Sequence, residues 1–215
     1  HTWLRRQRQM CIRDRGYILS LSLLFFIVWQ VYSAYSNKKF ENMDQQLIGS
    51  INNVNFKTYS QYTLASVKMD GKSLNNAKGK FSVLANYIFG GNSDKKQIAM
   101  TSPVIYNMSN YATFSFIMPD NYEVSNLPSP NSKEISFKTN KNQCIASIAF
   151  GGFVNNENCK ENYLKLLEVL NANDISHSND YMLAVYNSPY QIINRKNEIW
   201  IEVNKDEILK KLDIK

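Results

Sequence analysis

Twice along this chain a run with helical periodicity is bracketed by runs with strand character, and neither apolar stripe is able to bury itself without a sheet. In the first run Leu74, Ala77, Phe81, Leu84, Ala85 and Ile88 recur at steps of three and four behind Ser73, a good helix-capping residue. Gly90-Gly91 ends it, because glycine accepts the left-handed backbone that closes a helix. Residues 54–59 and 62–69 before it, and 97–107 and 113–118 after it, are rich in β-branched and aromatic side chains and read as strands. The order then repeats: strands at 133–139 and 144–150, Gly151-Gly152, and a helix over 157–170 striped by Cys159, Tyr163, Leu166, Leu167 and Leu170. Strands at 181–186 and 198–203 complete it. Two units of strand, strand, helix, strand, strand define an α+β class, duplicated about a pseudo-twofold axis. The pattern alone carries this, since the halves share few identical residues. Residues 120–132, with Pro128 and Pro130, form the hinge between the units.

A formal net charge of +7 looks like a nucleic-acid signal until it is located. Arg5, Arg6, Arg8, Arg13 and Arg15 against Asp14 supply most of it before the first apolar run, and the rest is thinly spread. No basic stripe with interleaved aromatics is formed, so nucleic acid is not an expected partner. Residues 1–15 read as a non-native translated tail, because Met10-Cys-Ile-Arg-Asp-Arg15 resembles adapter sequence read as protein. Residues 16–35 read as a transmembrane anchor or a signal peptide. From Tyr17 to Tyr35 only Ser20, Ser22, Gln30 and Ser33 interrupt the apolar run, and a helix rising about 1.5 Å per residue comes close to the ~30 Å hydrocarbon core. Residues 36–52 read as a polar tether, 53–204 as the folded domain, and 205–215 as a tail or short helix. The domain is therefore expected to be membrane-anchored or exported, on the non-cytoplasmic side; Lys- and Asn-rich usage points to a bacterial, hence periplasmic, setting.

Cys144 alternates with Ala146 and Ile148 on an inward strand face, and Cys159 falls in the first turn of a helix. They read as small core residues, with a disulfide as the alternative. No nucleophile stands beside its base, no ligand cluster has metal spacing and no phosphate loop is present. The residues point to a binding protein and not to an enzyme.

Five strings, in order, carry a family resemblance: Tyr87-Ile-Phe-Gly-Gly-Asn92, Ile98-Ala-Met-Thr-Ser-Pro-Val104, Phe116-Ile-Met-Pro119, Phe150-Gly-Gly152 and Arg195-Lys-Asn-Glu-Ile-Trp200. From about Val54 to Val203 the chain resembles the SOUL haem-binding protein family. The resemblance implies a distorted antiparallel β-barrel of eight or so strands with two helices, related to GyrI-like effector-binding domains. It also implies haem or another tetrapyrrole as partner, held in a shallow apolar groove beside the first helix and under the loop before the last strand. Lys78 takes the family's first-helix basic position toward the propionates. Two further basic positions stand here as Asn86 and Gln191.

A tetrapyrrole needs apolar area for its face and cations at its edge. Burying ~300 Å² is worth about 7 kcal/mol, more than rim charges of ~1.5 to 3 kcal/mol each. Phe81, Leu84, Ala85 and Tyr190 are the expected face residues, with Lys78 and Arg195 at the rim. His177, in the loop 171–180, is remote in sequence from that groove, and Tyr87, Tyr190 and Met100 are the other ligand types nearby. Haem is thus the expected cofactor without a strong axial residue, and no metal ligand is assigned. The protein partner is unknown. Two alternatives stand beside this one. The first is a GyrI-like small-molecule-binding or hydrolase domain, with Glu198 or Glu202 as base; the second is a ligand-free adaptor. Alternation places both acids opposite Ile199 and Ile201, toward lumen or solvent, and Arg195 beside Glu198 offers a surface ion pair.

Overall fold

Alternation along the strands sorts side chains into two layers, and the sheet closes because its two longest strands pair with each other. The computed structural model describes residues 17–32, 41–42 and 45–212; the expected tail 1–15 and part of the expected tether lie outside the described residues. In chain order the first half holds α1 (17–32), β1 (Glu41–Asn42), β2 (Gln46–Ile51), β3 (Val54–Lys68), a 3₁₀ turn (Leu74–Ala77), α2 (Lys80–Ile88), β4 (Thr101–Ser102), β5 (Val104–Asn107) and β6 (Thr113–Ile117). The second half holds β7 (Ile135–Phe150), α3 (Asn156–Ala172), β8 (Met182–Val185), β9 (Asn197–Val203) and α4 (Lys205–Lys211).

Each half is a long strand, a helix and two short strands, which is the expected duplication. Around the barrel the order is β3-β6-β5-β8-β9-β7, and β7 returns to β3. Exchanging β3 with β7, β6 with β9 and β5 with β8 leaves that order unchanged, so the twofold relation is built into the pairing. The barrel has six antiparallel strands, fewer than the eight or so expected. Residues expected as four separate strands form two continuous ones: Val54 pairs with Ile148 at one end and Val67 with Ile135 at the other. The expected breaks around Ser60 and Asn142 coincide across the pair, and Asn142 takes a left-handed φ of 52°. The pairing continues on both sides of that point, from Tyr59 with Gln143 to Gln61 with Lys141. Gln46–Ile51, expected within the tether, is an edge strand on β3.

The layer facing the helices holds the apolar core. Phe114, Phe116, Ala65 and Val67 pack with Leu84, Tyr87 and Ile88 of α2, while Ile199, Ile201, Ala146 and Phe56 pack with Cys159, Leu166 and Leu170 of α3. Cys144 and Cys159 are free and buried in that second cluster, and burial pushes both thiols up to about 11. They serve as packing groups. α3 begins at a capping box in which Asn155 and Asn158 satisfy each other's backbone. α4 follows β9 with Ile208 fully buried.

The first helix differs from its expected form. The stripe from Leu74 to Ile88 is interrupted at Lys78 and Gly79, where Gly79 takes φ 82° and serves as the N-cap of α2. Ser73 caps only the 3₁₀ turn, accepting from the Asn75 N–H at 3.4 Å. No atom lies within 4 Å of where a Gly79 Cβ would stand, so a side chain there meets backbone strain alone. Gly79→Ala is expected to lower stability by about 1 to 2 kcal/mol, read as a fall in the midpoint of thermal unfolding. At the other end Gly90 takes φ 107°, and a Cβ on Gly91 would fall 2.7 Å from the Asn86 carbonyl oxygen, which explains the Gly-Gly stop.

Candidate functional site

Directly paired residues share a face of a sheet, so the register sets one row across four strands. Phe116 on β6 lies opposite Val104 on β5, Val104 opposite Val185 on β8, and Val185 opposite Asn197 on β9. At about 4.8 Å per strand gap the row is about 14 Å long, comparable with the breadth of a tetrapyrrole macrocycle. α2 stands over its first end, where the Phe81 ring lies 5.4 Å from the Phe116 ring and 6.5 Å from that of Phe114. Phe81 is 46% exposed, and Val104 and Val185 are only half-buried. The segment 187–196 leaves β8 and returns to β9 at the other end of the row. Phe116 and Asn197 at the two ends of the row are buried, so the exposed part is a short apolar shelf of Phe81, Val104 and Val185, bounded by α2 and by that loop.

Of the six residues expected at such a site, two take other roles. Leu84 is fully buried beneath α2 and belongs to the core; the helix break at Gly79 turns Phe81, not Leu84, outward. Arg195 is no rim cation. One of its guanidinium nitrogens donates to the carbonyls of Ser188 (2.8 Å) and Gln191 (2.6 Å), and the group lies 4.5 Å from the Phe153 ring centroid. Burial lowers its pKa. Its Nε has no partner. The expected Arg195–Glu198 surface pair is therefore absent, because Arg195 is occupied by loop carbonyls. Ala85 is half-buried beside Phe81, and Tyr190 is exposed on the loop. Lys78 is exposed in the break before α2 and takes part in none of the described ion pairs.

The iron-ligand candidates are likewise placed. His177 bridges to Val203 at the end of β9 away from the shelf, about 20 Å along the strand from Asn197. Its ring nitrogens face the Ser178 carbonyl at 3.0 Å and the Asn171 side-chain oxygen at 3.2 Å. The buried Tyr87 hydroxyl donates to the Pro128 carbonyl at 2.9 Å. Among the described residues no cluster of His, Cys, Asp and Glu has metal-binding geometry.

Inside the barrel lies a polar network that alternation alone left open between lumen and solvent. Glu198 is buried there, with Lys57 Nζ 2.9 Å from both carboxylate oxygens and Lys196 Nζ 3.0 Å from one. The Trp200 indole (2.7 Å) and Tyr186 hydroxyl (2.9 Å) donate to the other oxygen. Burial is the largest influence on the Glu198 carboxyl and pushes its pKa up. The Lys57 charge, the Trp200 and Lys57 hydrogen bonds and the Lys196 charge together overcome it and hold the group below the ordinary carboxylate range. Tyr186 and Tyr59 are raised well above the usual phenol, first by burial and then by the Glu198 charge. The available signal was Lys57, a lysine on the face opposite Val54 and Phe56 in a strand otherwise bound for the core. Glu202, nearer the barrel mouth, accepts from Gln143 at 3.2 Å. That mouth is a cavity of about 400 Å³ lined by Ser66, Ser115, Asn107, Asn140, Lys138 and Glu202 among others. Leu64, Ile105, Tyr181 and Met182 also line it, so its wall is of mixed polarity and has no continuous apolar face.

The architecture is thus a duplicated α+β barrel with helices on its outer face and a short apolar shelf beside the first of them. The family described as SOUL heme-binding protein matches residues 39–202, and the chain belongs to that family. Among its relatives, Heme-binding protein 1 of Xenopus laevis is 26% identical over 158 residues, covering 69% of this chain and 82% of the relative. Heme-binding protein 2 of Homo sapiens is 26% identical over 136 residues, covering 59% of this chain and 65% of the relative. The solved C-terminal domain of EcmrR aligns with TM-score 0.56 at 11% identity over 73% of this chain and 99% of that domain. Such identity shows shared fold alone, and the fold is GyrI-like.

Proposed function

We propose that the chain binds haem or a related tetrapyrrole non-covalently on the shelf between α2 and the β8–β9 loop, for buffering or transfer, in a domain anchored to a membrane or exported across it. The observation that carries this is the apolar strip Phe81, Val104 and Val185, left partly exposed over the buried Phe116 where a water-facing surface would be polar. The chain's relatives are named for haem binding. Phe81 and Ala85 would cover one part of the face, Tyr190 would close the loop side, and Lys78 would meet a propionate. When bound, the group supplies the iron and the conjugated ring; the chain supplies area and one cation. His177 is too far along β9 to ligate the iron.

A hydrolase reading gains nothing from Glu198. A carboxylate already contacted by two ammonium groups, an indole and a phenol is held ionised but has no free oxygen to take a proton near neutral pH. The membrane placement draws support from α1, whose apolar side chains are exposed along 17–32. Among the described residues no helix is long and apolar enough to cross a membrane.

Titrating ferric haem into the full chain in detergent tests the binding. The expected result is a saturable Soret change without a sharp six-coordinate low-spin spectrum, identical in His177→Ala. A low-spin spectrum that His177→Ala abolishes would place the iron elsewhere, and no saturable change would remove the assignment.

A further inference from the structure

We propose that the tip of the β8–β9 loop stands in the lipid of the membrane beside α1, so that the shelf opens next to hydrocarbon. This rests on the membrane placement above and deepens it, because it says which face of the domain meets the bilayer.

The loop is inside-out for a segment in water. Two of its polar side chains are turned inward, Gln191 at 4% exposed and Arg195 at 8%, while Asn194 and Lys196, toward β9, are exposed. The inward pair is used to hold the loop's own backbone. Gln191 donates to the carbonyls of Ile193 (2.8 Å) and Asn194 (3.3 Å), Arg195 to those of Ser188 and Gln191, and the Asn187 amide donates to the Gln191 side chain at 2.9 Å. Its apolar side chains point out: Tyr190 is 69% exposed, Ile192 50% and Ile193 57%. A loop in water gains by the reverse arrangement, since each exposed aliphatic chain forgoes the free energy of its burial. Internal satisfaction of backbone and polar groups beneath an apolar exterior is what a lipid environment demands.

α1 repeats the inversion and is joined to the loop. Every described residue of α1 is exposed except Gln30, its one amide; Ser20 and Ser22, also exposed, donate to the helix's own carbonyls of Tyr17 and Leu19. Gln30 accepts from the Ile192 N–H at 3.1 Å and reaches the Tyr190 carbonyl at 3.5 Å. The helix thus touches the domain through an amide and presents its apolar side chains elsewhere. α1 is thus tied to the loop tip at the two residues, Tyr190 and Ile192, whose side chains are exposed beside the joint. A bilayer is the occupant that fits both pieces at once: a ligand on the shelf covers the loop but leaves α1 bare.

The test labels single cysteines with an environment-sensitive fluorophore in a Cys11→Ser background, where Cys144 and Cys159 are buried. The full chain is reconstituted in phosphatidylcholine–phosphatidylglycerol vesicles with or without spin-labelled acyl chains. Three sites are compared: Ile193→Cys on the loop, Leu23→Cys on α1, and Tyr111→Cys, which is 81% exposed and lines the barrel mouth. The expected result is blue-shifted, acyl-quenched emission at the loop and α1 sites and water-like emission at the mouth. Quenching at α1 with water-like emission at the loop would overturn the loop insertion while leaving the anchor intact. Water-like emission at both would overturn the anchor and the loop together, and equal quenching at all three sites would show that no particular face meets lipid. Ile192→Asp in the Ile193→Cys protein is expected to reverse the loop quenching, and unchanged quenching would count against insertion.

Discussion

Glu198→Ala is expected to lower the folding stability by roughly 3 to 5 kcal/mol, the range for removing one partner of a buried ion pair. The substitution leaves Lys57, 7% exposed in the barrel, without the carboxylate it contacts at 2.9 Å. It also strips the Trp200 indole and the Tyr186 hydroxyl of their acceptor, and each orphaned buried donor costs about 1 to 3 kcal/mol. Lys196, half exposed, recovers water and loses little. The midpoint of urea unfolding reads the change, with the slope unaltered if the folded and unfolded ensembles keep their extents. Glu198→Gln with Lys57→Met separates the causes: it removes both charges, keeps an acceptor for Trp200, and is expected to recover most of the loss. A double variant as unstable as Glu198→Ala would mean that packing, not charge, accounts for the effect.

The same carboxylate sets an acid dependence. Its folded pKa lies below the ordinary value of 4.5, so between the two values the unfolded chain binds the proton and the native protein does not. Stability from Glu198 is therefore complete above the ordinary carboxylate range and is lost as pH falls through the lower folded value. In Glu198→Gln the acid limb of the stability curve is expected to flatten in that window.

Much of the architecture was legible because periodicity reports burial directly. The alternation of Ile199 and Ile201 with Glu198 and Glu202 correctly separates two faces, and the two helical stripes locate the two halves. What stayed hidden depends on contacts with no local signature. Lys57 and Glu198 are 141 positions apart, so neither residue's neighbours reveal the pair. Arg195 reads as a rim cation because its partners are backbone carbonyls, which any sequence supplies. The break at Gly79 is masked by apolar spacing that runs through it, and that break decides the site: one continuous helix would have shown Lys78 along the stripe, whereas the observed turn exposes Phe81 and buries Leu84. Edge strand β2 looked like tether because an edge strand buries little.

Phe81→Glu is expected to weaken haem binding roughly fiftyfold while leaving the fold intact. The Phe81 ring is half exposed and rests on Phe114 and Phe116, so it offers on the order of 100 Å² to a flat ligand, worth about 2.5 kcal/mol. At 1.4 kcal/mol per factor of ten this is close to fiftyfold, and a carboxylate placed near propionates adds repulsion. The cost to folding is limited to the two ring contacts, about 0.5 to 1.5 kcal/mol each, since about half of the side chain already faces water. Lys78→Ala supplies the comparison: an exposed cation contributes about 0 to 1 kcal/mol through a solvent-screened contact, a few-fold in affinity. Area and charge thus predict opposite rankings of the two variants. Parallel titrations that found Lys78→Ala the more damaging would move the ligand off the Phe81–Phe116 strip and onto a charged surface, where the apolar row across β6, β5 and β8 has no part in recognition.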